Sequence, residues 1–260
     1  MYSVENKVAI VTASDSGIGQ SCALMLAEQG FHIGITCHSD EKAANVTAEQ
    51  VRQLGRKAEI QKLDLSDPEA AGEALEALIT RMGRVDVLVN NAGVNIKADF
   101  LDTTLENWRK VFTVNVEGSF VCSQTAARHM VKQGDGGRII NITSVHEFTP
   151  LPNSVAYTAT KHALGGLTKS MALSLLPHGI LVNAVAPGTI ATPMNQMGTD
   201  DAEKIVIPEI PAQRPGDRRE VASMVAWLCS PWSSYTTGQS FIIDGGFMLA
   251  NPQYFIQKPA

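Results

Sequence analysis

The stretch KVAIVTASDSGIGQSCALMLAEQG, residues 7–30, joins an apolar run to a helical pattern through a turn that contains two glycines. KVAIVT predicts a strand, and the segment from Gly17 predicts a helix that ends at Gly30. Gly17 and Gly19 let the backbone approach a pyrophosphate where free N–H groups and the helix dipole favour an anion. Taken alone, the motif is explained equally well by an ordinary strand–helix turn.

The same alternation of strand and helix continues along the chain. Strands rich in Val and Ile that do not alternate with polar residues indicate a parallel sheet covered on both faces. We therefore predict an α/β, single-domain Rossmann fold over residues 1–250, a doubly wound seven-stranded parallel sheet with helices on both faces. The further predicted strands are 31–37, 57–65, 85–93, 137–144, 180–188 and 240–246, and the further predicted helices are about 40–54, one opening at Ser66 or Asp67, about 105–132, about 154–176 and about 219–229.

The composition limits the classes of partner. The 260 residues are 44% hydrophobic and carry a net charge of −5, which argues against nucleic acid or an anionic membrane as the main partner. The four cysteines lie far apart without a C-x-x-C motif, and the six histidines show no ligand spacing. We expect neither a disulfide framework nor a metal site. The start of the sequence lacks the order of a signal peptide, so a cytoplasmic protein is expected.

YTATK, residues 157–161, places Tyr157 and Lys161 four residues apart on one helix face. A tyrosine with its ordinary pKa near 10 is a poor acid or base at neutral pH. An ammonium about 4 Å away contributes roughly 4 kcal/mol at an effective dielectric near 20, which we expect to lower the pKa of the phenol. When the pair stands alone, a solvated helix face is the plainer interpretation.

Two further polar residues fall at informative places. Ser144 ends the fifth predicted strand, where its hydroxyl can donate to a carbonyl oxygen that Tyr157 protonates. Asn115 lies in the middle of a long predicted helix, although Asn is a weak helix former. Either its side chain or a local helix distortion has a function, or it is a satisfied buried residue.

Together these motifs resemble the short-chain dehydrogenase/reductase family from Lys7 to about Gly246. The matching segments, in the family's order and spacing, are TASDSGIG (12–19), NNAG (90–93), Asn115, Ser144, YTATK, APGTIAT (186–192) and TGQSFIIDGG (237–246). The resemblance implies an NAD(P)(H)-dependent oxidoreductase that interconverts a small carbonyl compound and its secondary alcohol by hydride transfer. It implies that Tyr157 is the general acid/base and that Lys161 lowers its pKa and holds the nicotinamide ribose. Ser144 would position the substrate oxygen, and Asn115 would anchor a water.

The resemblance also implies a set of cofactor contacts. Ala13 replaces the family's usual glycine, and we expect its methyl to be tolerated because its φ is negative. Asp64 with Leu65 would flank the adenine, and Thr192 would contact the carboxamide. The implied cofactor-binding residues are Thr12, Ser14, Asp15, Ser16, Gly17, Ile18, Gly19, His38, Ser39, Asp64, Leu65, Asn91, Ala92, Gly93, Tyr157, Lys161, Pro187, Gly188, Ile190 and Thr192.

His146 and Glu147, in SVHEFTPLP (144–152), are similar to the glucose 1-dehydrogenase branch of the family, whose polar pocket suits hydroxyl-rich substrates. We expect both to line the substrate pocket together with Ser144 and Tyr157, under a lid at about 193–215. The alternative is that they pair only with each other or with a loop. The chain also looks like bacterial members labelled acetoin or diacetyl reductase-like.

Other functions remain open at this point. A sugar or polyol dehydrogenase fits the polar pocket. A 3-oxoacyl reductase requires a basic docking patch, for which RPGDRRE (214–220) is the candidate. A nicotinamide-nucleotide-binding sensor without turnover has no need of Ser144, Tyr157 and Lys161 together.

The choice between NAD(H) and NADP(H) depends on the end of the second strand. Cys37 stands where NAD-preferring members of the family carry Asp, while His38 and Ser39 can donate to a 2′-phosphate. Asp15 stands where NADP users carry a small donor, and Ser16 stands where many carry Arg. The sequence favours NADP(H), with NAD(H) possible and dual use open.

We also expect a homotetramer, because the long helices carry more apolar residues than one sheet face buries. In the family, the matching helices form a dimer contact and the last strand forms a second one. The tail 251–260, which contains Tyr254, Phe255 and Ile256, is expected to lie at a subunit interface. The apolar helix residues are Val111, Val114, Ala126, Leu164, Leu167 and Met171.

Overall fold

Seven parallel strands form one sheet in the computed structural model, which describes residues 4, 6–198, 202, 204–250 and 254. The strand order is β3-β2-β1-β4-β5-β6-β7, so the chain reverses its direction of winding between β1 and β4. This confirms the doubly wound fold. The strands are β1 Val8–Val11, β2 His32–Cys37, β3 Ala58–Lys62, β4 Val87–Asn90, β5 Gly137–Ile142, β6 Ile180–Pro187 and β7 Ser240–Ile243.

Helices cover both faces of the sheet, as predicted. One buried cluster includes side chains of α1, α2 and α7, and the other includes side chains of α3, α5 and α6. Of the two predicted caps, Asp67 is the one that caps α3 and accepts from the Ala70 N–H. The helices are α1 Gly17–Gln29, α2 Glu41–Gln53, α3 Pro68–Met82, α4 Leu105–Phe112, α5 Gly118–Gln133, α6 Val155–Leu175 and α7 Arg218–Leu228.

The turn between β1 and α1 differs from expectation at Ala13. Its φ is +48°, not negative, so the methyl group sits in a conformation that costs an L-residue roughly 1–2 kcal/mol. Two contacts with β2 hold the turn in this shape. The Ala13 N–H donates to Thr36 Oγ1 at 3.1 Å, and the Ser14 N–H donates to the Thr36 carbonyl at 2.9 Å.

The long helix predicted from Leu105 to Lys132 is present but is distorted around Asn115. A π-helical turn, Thr113–Glu117, separates α4 from α5. Asn115 Oδ1 accepts from the Val94 N–H at 2.8 Å, and its Nδ2 donates to the Val94 carbonyl at 3.0 Å and to Thr160 Oγ1 at 3.1 Å. The helix is therefore distorted at Asn115 and its buried side chain is satisfied, while a function of the residue stays a prediction.

The residues expected to form a dimer contact need correction. Val111, Val114, Ala126 and Leu164 are buried within this chain, where they complete its own core. The apolar side chains that remain accessible line a groove of about 500 Å³ between α5 and α6, and they are Phe120, Val131, Leu167, Met171 and Leu175.

Parts of the predicted lid and tail lie outside the described residues. These are 199–201 and 203 in the lid, and 251–253 with Phe255 and Ile256 in the tail, whereas Tyr254 is described and is 39% exposed. Within the described part of the chain, no helix combines the length and apolarity needed to cross a membrane.

Candidate active site

A cleft of about 830 Å³ opens where β1, β4, β5 and β6 end. This is the edge of a doubly wound sheet at which ligands bind, next to the point where the winding reverses. The sequence-predicted residues that line it are Ser16, Gly17, Ile18, Asn91, Gly93, Ser144, His146, Tyr157, Lys161, Pro187, Gly188, Ile190 and Thr192.

The start of α1 at one wall of the cleft suits an anion. Ser16 is the N-cap residue, but its side chain makes no capping hydrogen bond, and the first turn contains no acidic residue. Gly17 has a φ of +55°, and a Cβ there would come within 3.7 Å of the Thr192 side chain. Backbone N–H groups at a helix start, unscreened by side chains, fit the diphosphate of a dinucleotide.

Three other residues of this loop, Thr12, Ser14 and Gly19, pack beneath it, where their side-chain positions contact other parts of the protein. A Cβ at Gly19 would collide with the Ala13 carbonyl and lie 2.5 Å from Asn91 Nδ2. Thr12 Oγ1 accepts from the N–H groups of Asn91 and Ala92, both at 2.9 Å. The buried Ser14 hydroxyl donates to the Val11 carbonyl. Close packing under the loop occupies all three.

Ser144, Tyr157 and Lys161 meet at the centre of the cleft. The Ser144 hydroxyl lies close enough to the phenol of Tyr157 to lower the pKa of that phenol. Lys161 Nζ donates to the Ile142 carbonyl at 2.9 Å and lies 5.4 Å from the centroid of the Tyr157 ring. A hydroxyl, a phenol and an ammonium therefore face one space, which is a set able to orient a carbonyl oxygen and exchange a proton with it.

The pKa of Tyr157 does not move in the expected direction. Burial raises it, and this effect exceeds the lowering by the hydrogen bond with Ser144. Burial also lowers the pKa of Lys161 to about 8, while the charge of Glu147 acts in the opposite direction. The ammonium is bound to the Ile142 carbonyl rather than to the phenol, so desolvation dominates both groups.

Two residues of the 3₁₀ turn Val145–Glu147 were expected in the substrate pocket, and the turn separates them. His146 lines the cleft, its Nδ1 lies 3.1 Å from the Thr149 carbonyl, and burial lowers its pKa, which favours a neutral imidazole. Glu147 is only 6% exposed, and its Oε1 accepts from Ser240 Oγ of β7 at 2.8 Å. Successive residues of a 3₁₀ turn point about 120° apart, so both cannot face the cleft. The expectation that Glu147 lines the pocket is wrong.

The adenosine end predicted from the sequence lies beyond the cleft, on the surface. His38 Nε2 lies 3.6 Å from Asp64 Oδ2, and both side chains are largely exposed. Asp64 Oδ1 also accepts from the Ser66 N–H and hydroxyl, which lowers the pKa of Asp64. Ser39 is exposed, but the Leu65 side chain is buried against Gly118. That Asp64 and Leu65 flank the adenine stays a prediction.

The fold also brings residues to the cleft that the sequence analysis missed. Asn95 follows the NNAG motif by two positions, and its Nδ2 donates to Ser154 Oγ at 3.1 Å. The polar Asn directly after a strand-end motif was a usable signal. Leu151 and Phe247 also line the cleft, but they come from segments far apart in the chain, so no local pattern marks them, whereas Met194 of the cleft lies in the predicted lid.

Known proteins match this chain over nearly all of its length. A family model described as enoyl-(acyl carrier protein) reductase matches residues 12–248. The chain is 64% identical to an oxidoreductase of Escherichia coli strain K12 called YohF, described as uncharacterized, over 95% of this chain and 98% of that one. It is 37% identical to glucose 1-dehydrogenase 2 of Bacillus subtilis strain 168, over 94% and 95% of the two chains.

Two similar solved structures agree with the fold in detail. Acetoin dehydrogenase YohF from Salmonella typhimurium is 66% identical with a TM-score of 0.91, over 95% of this chain and 98% of that chain. Acetoin dehydrogenase from Enterobacter cloacae is 63% identical with a TM-score of 0.93, over 99% of this chain and 100% of that chain.

Two adjacent glycines on α6 provide a test of the buried position of Glu147. A Cβ at Gly165 would collide with Glu147 Oε1 and lie 2.5 Å from its Cδ, whereas a Cβ at Gly166 meets nothing within 4 Å. Gly166→Ala is expected to raise the free energy of unfolding by about 0.5–1 kcal/mol, the usual gain in a helix. Gly165→Ala is expected to lower it. Urea denaturation measures both, and equal stabilisation by the two variants would contradict the packing described.

Proposed function

This chain belongs to the short-chain dehydrogenase/reductase family, and from that premise we propose that its substrate is a small neutral α-hydroxy ketone or diketone of the acetoin type. It is an NAD(P)-dependent oxidoreductase that interconverts a carbonyl compound and its alcohol. The observation that carries the substrate proposal is the wall beside Tyr157, where Ser144, a neutral His146 and Asn95 face the cleft while the carboxylate of Glu147 is turned away.

The proposed chemistry assigns one task to each central residue. Tyr157 gives its phenolic proton to the carbonyl oxygen in reduction and takes it back in oxidation. The Ser144 hydroxyl, which lines the cleft beside that phenol, holds the same oxygen in place. Lys161 keeps a positive charge under the reacting atoms. The nicotinamide cofactor supplies or accepts the hydride when it is bound.

In this proposal, Asn115 positions the loop after β4 rather than contacting the reacting atoms. Its amide holds Val94, and a Cβ at Gly93 would lie 3.3 Å from Asn115 Oδ1 and 3.8 Å from Lys161 Nζ. The residue thus fixes the loop after β4 against the lysine. The proposed cofactor contacts within the cleft are Ser16, Gly17, Ile18, Asn91, Gly93, Lys161, Pro187, Gly188, Ile190 and Thr192.

Two other substrate classes fit the structure less well. The polyol interpretation depended on a pocket lined by both His146 and Glu147, and Glu147 is bonded to Ser240 instead. An acyl-carrier substrate needs free basic charge. In segment 214–220, however, Arg214 is paired with Glu220 at 2.8 Å and Arg219 with Asp217 at 3.0 Å.

The catalytic proposal predicts a large effect of Tyr157→Phe. Loss of the transferable proton should lower kcat with acetoin or diacetyl at least about a hundredfold, while the affinity for the cofactor stays within about twofold. Absorbance at the nicotinamide band measures turnover, and fluorescence titration measures cofactor binding. Wild type should also prefer acetoin and diacetyl to glucose and to 3-oxoacyl thioesters. Turnover of the variant within tenfold of wild type would overturn the role of Tyr157.

The charges around the end of β2 favour NAD(H) over NADP(H), and we propose NAD(H) as the preferred cofactor. Burial raises the pKa of the Cys37 thiol, and the carboxylates Asp15, Glu41 and Asp40 raise it further against a smaller lowering by Lys62, so negative charge predominates around this position. His38, the donor that the sequence analysis offered to a 2′-phosphate, lies against Asp64. A further dianion is repelled by these carboxylates. This proposal reverses the preference for NADP(H) that the sequence favoured.

Steady-state kinetics with both cofactors tests this proposal. Wild type should show the higher kcat/KM with NAD(H), and Asp15→Asn should raise the NADP(H)/NAD(H) ratio by about fivefold, because one carboxylate within about 6 Å of the phosphate is removed. Glu28→Gln, an exposed carboxylate near the other end of α1, is the matched control and should leave the ratio unchanged. A tenfold preference of wild type for NADP(H) would refute the proposal.

We propose that the chain forms a homotetramer through the groove between α5 and α6 and through the side of β7. Phe120 and Val131 are 45% and 41% exposed on α5, and Ile242 of β7 is 42% exposed. Light scattering should give about four times the 27.9 kDa of one chain. Phe120→Asp should lower this mass, while Val46→Asp, at an exposed apolar residue of α2, should not. A monomeric wild type would contradict the assembly.

A further inference from the structure

Three charged side chains are buried among the described residues, namely Asp86, Glu147 and Lys161. Asp86 lies beside β4 at its amino end and is paired with Arg84 at 2.6 Å. Glu147 and Lys161 are the two that lie near the catalytic end of the sheet. A buried charge without compensation is strongly unfavourable, so each of them needs an explanation.

The 3₁₀ turn, β7 and α6 together form the buried position of the Glu147 side chain. The 3₁₀ turn after Ser144 carries it inward, and Ser240 of β7 donates to its Oε1 at 2.8 Å. Gly165 on α6 leaves the space in which the carboxylate lies, since a Cβ there would collide with it. Oε2 is buried and has no hydrogen-bond partner among the described residues. The carboxylate is therefore held in place, but only half of its acceptor capacity is used.

The position of Gly165 relates this carboxylate to the catalytic lysine. Gly165 follows Lys161 by four residues, so the two lie one above the other on the same face of α6. The titratable side chains related to Lys161 are Tyr157 on α6, whose ring centroid lies 5.4 Å from Nζ, and Glu147 on the 3₁₀ turn, while His146 lies 6.3 Å from Tyr157 between ring centroids. The π-helical turn and the loop after β4 present the uncharged Asn115 and Gly93. Glu147 is the charged group that acts on Lys161.

We infer that Glu147 is a positioning residue of the reaction, whose buried carboxylate is the counter-charge that keeps Lys161 cationic beneath the reacting atoms. This inference rests on the proposed role of Lys161. It explains why a carboxylate follows Ser144 by three residues, why its neighbour on α6 is a glycine, and why β7 offers it a hydroxyl. The substrate does not contact Glu147.

The expected pH dependence follows from the charges. Burial lowers the pKa of Lys161 to about 8, and the charge of Glu147 opposes that lowering. Without the carboxylate, the pKa falls further, and the cationic form is lost at a lower pH. Activity that requires the cation should then decline earlier on the alkaline side, while activity near pH 6 is little changed.

Glu147→Gln tests the inference, because the amide keeps the shape and can still accept from Ser240. The Cε resonance of Lys161, assigned by its absence in Lys161→Arg, reports the lysine titration by NMR without reference to activity. We expect its midpoint and the alkaline limb of kcat to move down by about one pH unit, a tenfold loss of cation above the midpoint. Glu73→Gln on α3 is the matched control and should move neither.

Two further variants separate charge from packing. Ser240→Ala removes the hydrogen bond to Glu147 but leaves its carboxylate. The alkaline limb of the kcat–pH profile should therefore move less than in Glu147→Gln. Glu147→Asp keeps a charge at a greater distance and should give a smaller shift of the same sign, which also serves if the Gln variant does not fold. An unmoved Lys161 titration in every folded variant at position 147 overturns the inference. If the titration moves but wild type shows no turnover on the carbonyl panel, only the proposed function fails.

Discussion

The Thr12 hydroxyl holds the two halves of the sheet together at the point where the strand order reverses. It accepts hydrogen bonds from the N–H groups of Asn91 and Ala92. In the other direction, Asn91 Nδ2 donates to the Thr12 carbonyl at 3.0 Å. These bonds set the distance between the ends of β1 and β4, which form one wall of the cleft. The close packing of Gly19 against Asn91 Nδ2 depends on that separation.

Burial of charge decides the chemistry at the centre of the cleft. Lys161 is buried with its ammonium bound to a backbone carbonyl, so its charge is maintained by the surroundings rather than by solvent. The same burial raises the pKa of Tyr157. In the proposed mechanism, the phenol therefore depends on a nearby cation and on the pKa-lowering effect of Ser144 to act as proton donor and acceptor. In a site of low dielectric, a single carboxylate such as Glu147 has a large influence on this balance.

The two ends of the ligand site differ in charge. The wall beside Tyr157 presents a hydroxyl, an amide and a neutral imidazole, with Lys97 also lining the cleft, while the proposed adenosine end carries Asp15, Asp40 and Asp64 with one histidine. Neutral small carbonyl compounds and a cofactor without a 2′-phosphate are compatible with both ends at once. At the start of α7, Arg214 and Arg219 are engaged in ion pairs with Glu220 and Asp217.

The order of strands and helices, the family and the cluster of Ser144, Tyr157 and Lys161 were determined by the sequence itself. Hydrophobic runs, caps and motif spacing are local properties, and parallel strands necessarily bring their carboxyl ends to one edge. The position of Glu147, the core role of Leu65 and the positive φ of Ala13 were decided only by the tertiary structure. Each depends on a partner distant in sequence, namely Ser240, Gly118 and Thr36. The direction in which the Tyr157 pKa shifts likewise depends on desolvation, which cannot be predicted from the spacing of residues along the chain.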